Sequence, residues 1–356
     1  MFRTILRALP PVLCLLLLLL TPQASMQGVR SGLTLWANAV VPALLPFYAA
    51  TQLMQQCGLL SLLAPLLRPV CRLVRLPASF GGLLLAAWLS GAPNGVRLAA
   101  DVTDDPSVCT RFCACATVTG PLFLIGTAGQ LLGNPLLGAM IYGIHVFTAL
   151  CNGLLWRSYG KNAAASCFVP EKPPVSILTA LPEALRSCAL SMLFIGASIA
   201  FFSAFTAALN ALGLTAALES ILRFAMPTEA AAPLLAAFFE VSQGTLLAAR
   251  AALSLPLRLS LLCAFASFGG LSVLCQAMVF LRGHILCGVY FLQRVTHALL
   301  SFLCCRALCL LPIGALPVMA AASSPAASSA APPWSAVLTL CTLLCLTAQL
   351  NATKGR

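Results

Sequence analysis

Glu240 and Arg294 stand inside long apolar stretches of this 356-residue chain, as do His145 and His297. An ionisable group held deep in an apolar layer costs roughly 2.5 to 3.5 kcal/mol even on the mildest scale, so each needs a partner, water or a task. Glu240 at such depth suits contact with substrate or a coupling cation, proton carriage, or capping of free amides at a helix break. Arginine cannot shed its charge, so Arg294 must pair, snorkel or face water, and both Glu240 and an anionic substrate qualify as its partner. His145 precedes Arg294 by 149 positions and Thr148 precedes His297 by the same interval. His145 reads either as a packed core residue or as a participant in the site. Ser90, Asn94, Thr117, Thr119, Ser242, Gln243, Thr245, Ser267, Ser272 and Gln276 add neutral donors and acceptors near the same level. No nucleophile with its base, phosphate-cradling loop or catalytic carboxylate pair accompanies them, which points away from an enzyme and towards passage of a small polar or anionic molecule. The pattern calls for no cofactor and leaves any coupling ion open.

Glycines place these residues. Gly95 and Gly120 have counterparts Gly244 and Gly269, each 149 positions on. The first glycine of each pair closes a helix-breaking cluster (SGAPNG ending at Gly95, EVSQG ending at Gly244), and the second interrupts the next apolar stretch (TVTGP, SFGG). Broken apolar segments at matching places in two halves are the sequence pointer to a transporter's binding site. Second arms beginning just after the breaks, at Val96 and Thr245, would aim amide ends inward, where partial positive charge favours carboxylate or phosphate.

Composition fixes the surroundings. With 60% hydrophobic residues, 8% charged residues and a mean hydropathy of +0.99, the chain has too little polar surface for a soluble globule and belongs in a lipid bilayer. The net charge of +12 is scattered at segment ends, without the basic runs of a nucleic-acid face. The 17 cysteines sit mostly in apolar runs and read as small fillers. Cys109, Cys113 and Cys115 lack a His, Asp or Glu at a suitable offset, so no metal site is expected.

The fold expected is an all-α polytopic membrane protein with eight crossings, at about 5–22, 33–56, 112–132, 135–156, 187–210, 257–281, 285–310 and 334–350. The first is an uncleaved helix or a signal segment cut near Ala24-Ser25. Stretches 80–100 and 231–252 carry breaks at their centres, which read as re-entrant hairpins, with kinked crossings as the alternative. Placing both termini in the cytoplasm puts Arg3, Arg7, Arg68, Arg72, Arg75, Arg111, Arg157, Lys161, Lys172, Arg186, Arg282, Lys354 and Arg356 inside, and mainly Arg30, Arg223 and Arg258 outside. The domains expected are an N-terminal helix (1–30), a first repeat (31–160), a cytoplasmic linker (161–183), a second repeat (184–311), an external loop (312–333) and a C-terminal helix (334–356). Stretches 59–76 and 212–226 are expected along the interface. Three net crossings per repeat invert the second copy relative to the first. The oligomeric state is left open.

At these residues the chain resembles the sporulation integral membrane protein family YlbJ (stage V sporulation protein VV), within the nucleoside-recognition or gate-domain group. The resemblance rests on GLTLWANAVVPALLPF (32–47), SGAPNGVRL (90–98), GPLFLIG (120–126), FFEVSQG (238–244) and FGGLSVLCQ (268–276), in that order, and spans about residues 1–310. It implies a membrane protein of endospore-forming bacteria, placed in the mother-cell membrane around the forespore, that moves dipicolinic acid, a small aromatic dianion, towards the forespore. The gate group is similar to concentrative nucleoside transporters, which carry Gln-Thr-Glu where this chain has Ala92-Pro93-Asn94, so nucleoside is not the leading cargo. A non-transporting scaffold of spore formation and a nucleoside or cation transporter are the other readings. The residues expected to meet substrate are Ser90, Asn94, Gly95, Thr117, Thr119, Gly120, Glu240, Ser242, Gln243, Gly244, Ser267, Gly269, Gln276, Arg294 and His145.

Overall fold

The computed structural model describes residues 2–101, 103–160, 175–281 and 283–310, all helix and connections. The expected external loop 312–333, the last crossing 334–350 and linker residues 161–174 lie outside them.

Helix α1 (Phe2–Leu20) is followed after Thr21 by α2 (Pro22–Gln56), a 35-residue helix that includes a π-helical turn at Trp36–Val40. The expected loop between the first two crossings is therefore absent. Pro22 supplies the fixed φ of a first helical turn, and Gly28 and Gly32 are held in the helix by packing against the second half. Past α2, Gly58 adopts a left-handed φ of 77° and stops the helix. The expected interfacial helix 59–76 is three short pieces, α3 (Leu59–Leu63), a 3-10 turn (Ala64–Leu67) and α4 (Arg68–Leu73). Pro65 and Pro69 divide them, because proline removes a donor.

The first broken stretch forms α5 (Gly81–Ser90) and α6 (Asn94–Ala100), the second α7 (Pro106–Ala116) and α8 (Leu122–Leu131, largely π-helical). Asp105 caps α7 by accepting from the amides of Ser107 and Val108, and Asn134 caps α9 (Pro135–Trp156) by accepting from Leu136. Beyond the linker come α10 (Ile177–Ala211), α11 (Leu214–Leu222), α12 (Thr228–Phe239), α13 (Val241–Arg250), α14 (Leu255–Phe268), α15 (Gly270–Leu281) and α16 (Cys287–Leu310). Helix α10 starts ten residues before the expected crossing, inside the stretch assigned to the linker, because Ser176 caps it by accepting from the Thr179 amide. The expected interfacial stretch 212–226 reduces to α11.

Five stretches among the described residues are long and apolar enough to cross a bilayer: α2, α9, α10, α14 with α15, and α16. Helix α1, 19 residues long, is apolar over Arg7–Leu20, and α8 is apolar but shorter. Of the eight expected crossings, 33–56, 135–156, 187–210 and 285–310 fall on continuous helices, 5–22 falls on α1, 112–132 and 257–281 are each interrupted, and the last lies outside the description.

Each half thus has a long helix, a left-handed glycine (Gly58, Gly213), short helices, a broken pair, a second broken pair and a final helix. Across the first break in each half the arms fold back. A Cβ on Gly95 would come 3.0 Å from Cβ of Ala87, and one on Gly244 would land on the backbone of Ala237. In an unbroken helix, residues seven or eight apart lie some 10 to 12 Å apart.

Equivalent helices of the two halves run antiparallel. Along α2, a Cβ on Gly28 would meet Ala204, one on Gly32 would meet Ala200, Trp36 Nε1 donates to Met192 O (3.0 Å), and Gln56 O accepts from Val175 N (3.2 Å). The partner's number falls as that of α2 rises. The same holds for α9 and α16, where Thr148 meets Ser301 (2.6 Å) and Asn152 Nδ2 donates to Gln293 O (3.3 Å). Small residues permit the close crossing of α2 and α10, as in membrane helix pairs generally.

Candidate functional site

The four interruptions meet. Ala92 comes from the first, Thr117–Gly120 from the second, Glu240–Ser242 from the third and Ser267–Gly269 from the fourth; together with Gln276 and Arg294 they line one cavity of about 60 Å³. Val40, Leu44, Ile195 and Ile199 of α2 and α10 close it with apolar side chains, joined by Phe123, Phe268 and Val273. The cavity therefore has a polar side made of unwound backbone and an apolar side made of the two long helices. Irregular backbone at this depth is tolerated where protein or a water-lined space surrounds it.

Each interruption is held in place by side chains. Gly91, at φ 76°, redirects the chain after α5, and the Ala92 amide donates to Val118 O at 2.7 Å, joining the first break to the second. The peptide bond Ala92–Pro93 is cis. Thr119 Oγ1 donates to Ala266 O at 2.9 Å, which joins the second break to the fourth. The Thr119 amide donates to His145 Nε2 at 2.8 Å, and His145 Nδ1 meets Ser267 Oγ at 2.8 Å. An amide can only donate, so Nε2 is the bare nitrogen and Nδ1 carries the proton. His297 stacks on His145 with centroids 4.9 Å apart. Its Nδ1 faces the donor-only guanidinium of Arg294 (3.3 Å), and its Nε2 donates to His145 O (3.1 Å). Both imidazoles are neutral, with opposite tautomers.

Arg294 reaches the carboxyl end of α7. Its terminal nitrogens donate to Thr117 O (2.6 Å) and Cys113 O (3.2 Å), at the helix end that carries partial negative charge. Its Nε, in a side chain only 2% exposed, has no hydrogen-bond partner among the described residues. Tyr290 places its ring 5.4 Å from the guanidinium.

Glu240, also 2% exposed, ends α12 and caps α13, accepting from the Gln243 amide at 2.8 Å. Two expectations are corrected by this arrangement. The amide end of α13 is not free for a ligand, because the chain's own carboxylate occupies it; α13 also starts at Val241, before Thr245. Nor do Glu240 and Arg294 pair with each other. The ion pairs among the described residues are Arg97–Asp101, Arg186–Glu183 and Arg223–Glu219, all at or near the surface.

Of the residues expected at the site, Thr117, Thr119, Gly120, Glu240, Ser242, Ser267, Gly269, Gln276 and Arg294 line the cavity. The others stand behind it. Ser90 and Asn94 form a buried network in which Asn94 Nδ2 donates to Ser90 Oγ (2.9 Å) and Gln52 Nε2 donates to Asn94 Oδ1 (3.2 Å), fastening α6 to α2. Gly95 and Gly244 are packing contacts between arms, Gln243 Nε2 donates to Ser203 Oγ at 3.4 Å, and His145 holds the unwound segments from outside. The apolar lining carries no polar group by which the sequence would mark it. Val40 and Ile195, like Leu44 and Ile199, are separated by 155 positions, the interval that also relates Gly58 to Gly213. Among the described residues no group of three or more His, Cys, Asp or Glu is placed to hold a metal.

No family model matches the chain, and no solved structure matches it. Sporulation integral membrane protein YlbJ of Bacillus subtilis (strain 168) is 28% identical to it over 287 residues, covering 72% of this chain and 70% of that protein.

Proposed function

With the chain assigned to the YlbJ family of sporulation integral membrane proteins by that similarity, we propose that it is a transporter or facilitator passing a small anionic metabolite across the outer forespore membrane, with both termini in the cytoplasm. One observation carries the reading: interruptions from both halves converge on a single cavity, and Arg294, one of its lining residues, keeps a buried and unpaired Nε–H. In such a site unwound backbone and a fixed cation take the place of the water that a polar solute leaves behind. Dipicolinate, to which the family resemblance points, brings carboxylates for Arg294 and a flat ring for the Val40, Leu44, Ile195 and Ile199 wall. A cavity of about 60 Å³ is closed to such a ring, since benzene takes an apolar space of about 150 Å³. Loading therefore requires α2 and α10 to part from the broken helices, as in alternating access, where one set of helices rocks against another around a fixed site.

The test is counterflow of radiolabelled dipicolinate in proteoliposomes, with benzoate and uridine as competitors. Wild-type protein is expected to accumulate label and to be inhibited by unlabelled dipicolinate more than by uridine. Gly120→Leu, which puts a side chain at the cavity lining where a Cβ meets nothing closer than 3.4 Å, is expected to lower the rate at least tenfold. A folded wild-type protein giving no flux of any small carboxylate would leave the scaffold reading in its place.

A further inference from the structure

The cavity is lined by one acidic and one basic side chain that do not pair with each other. Glu240 and Arg294 are both lining residues, both are 2% exposed, and the ion pairs among the described residues include neither. Their own partners do not compensate either charge fully. The guanidinium spends its terminal nitrogens on carbonyls and an imidazole nitrogen and keeps Nε–H unpaired in the buried interior. The carboxylate accepts from the Gln243 amide, beside Ser242. Amide donors favour the ionised form of a carboxylate without supplying a whole positive charge. The neighbouring histidines cannot supply it, because each already faces a donor with its bare nitrogen and stays neutral.

An anion entering alone would meet Arg294, but with Glu240 ionised it would also bring a second negative charge into the same cavity. A ligand set that brings charge of both signs avoids that cost, because buried charges are tolerated when paired. We propose that the cavity takes up positive and negative charge together: Arg294 receives an anionic group and the ionised Glu240 a cationic one. The cationic group is either a monovalent inorganic cation accompanying the anion or the ammonium of a zwitterion. The inference rests on the transport reading for its cargo, whereas cation binding at Glu240 is measurable without it.

The experiment is thermal unfolding of the purified full-length protein in N-methylglucamine chloride, with sodium chloride, potassium chloride or alanine replacing part of the salt at constant ionic strength. At least one of the three is expected to raise Tm by roughly 5 °C near saturation, since a ligand at about a hundredfold its Kd stabilises the state it binds. Glu240→Gln keeps an oxygen to cap the Gln243 amide and is expected to melt like wild type in N-methylglucamine while losing the shift. A second measurement stands apart from that variant: dipicolinate binding to wild type, by calorimetry, is expected to be at least tenfold tighter with the effective inorganic cation, or absent where alanine alone stabilises. The inference is overturned if none of the three probes shifts wild type, if Glu240→Gln responds as wild type does, or if dipicolinate binds equally well with and without the cation. A cation shift without counterflow would keep this inference and remove the transport reading; counterflow indifferent to cations and zwitterions would do the reverse.

Discussion

His145 is a positioning residue whose role follows from one nitrogen. Its bare Nε2 accepts from Thr119 in the second interruption, and its protonated Nδ1 faces Ser267 at the fourth. Leaving a buried amide without its acceptor costs about 1 to 3 kcal/mol. His145→Phe, which keeps the ring and loses both nitrogens, is expected to lower stability by about that amount in a detergent melt. His145→Gln, whose oxygen can reach the Thr119 amide, is expected to recover at least half of the loss; equal losses in the two variants would show that the imidazole serves only as packing. Such roles were partly legible in the sequence. The cost of burying charge singled out Glu240, Arg294 and His145, and all three stand at or against the junction of the breaks. Their partners were not legible, because a sequence shows that Arg294 must be satisfied but not that the carbonyls of α7 point at it.

At the scale of elements, the glycines divide by mechanism. Gly213 ends α10 at φ 73° with open space where a Cβ would lie, so only backbone conformation opposes substitution. Gly213→Ala is expected to cost about 1 kcal/mol, and Gly213→Asn less, since Asn tolerates the left-handed region. Gly244 has an ordinary helical backbone but no room, because its Cβ would overlap the main chain of α12 at Ala237. Gly244→Val is expected to separate the arms and abolish accumulation of folded protein, measured by detergent-extracted yield and monodispersity. If Gly213→Ala proved the more damaging, the folded-back packing of α12 on α13 would be wrong. The breaks at Ser90–Gly95 and Glu240–Gly244 were legible because proline, glycine and polar residues interrupt apolar sequence. The continuity of α2 through residues 23–32 was not, because its polar, glycine-containing sequence resembles a loop and becomes helical through contact with α10, 150 or more positions away.

Across the whole molecule, the duplication is written at two intervals. The long helices repeat at 155 positions and the broken helices at 149, because the stretch between Gly213 and Glu240 is six residues shorter than that between Gly58 and Gly91 (155 − 149). The shorter interval marks only the polar half of the cavity, whereas the α2–α10 wall follows the longer one. The antiparallel pairing of α2 with α10 and of α9 with α16 means that equivalent ends of the two halves lie at opposite ends of the helix stack. At 1.5 Å per residue, 35 residues span about 52 Å, more than the ~30 Å of a bilayer core. Whatever follows Gly58 and whatever follows Gly213 should then lie on opposite faces of the membrane. Single cysteines at Ser61 and Ser220, both exposed just beyond those glycines, can be labelled with a membrane-impermeant maleimide in sealed vesicles of known orientation, in a background lacking the native cysteines. The account predicts that one is labelled from outside and the other only after the vesicles are opened. Labelling of both from the same side would contradict the inverted halves, and with them the shared cavity.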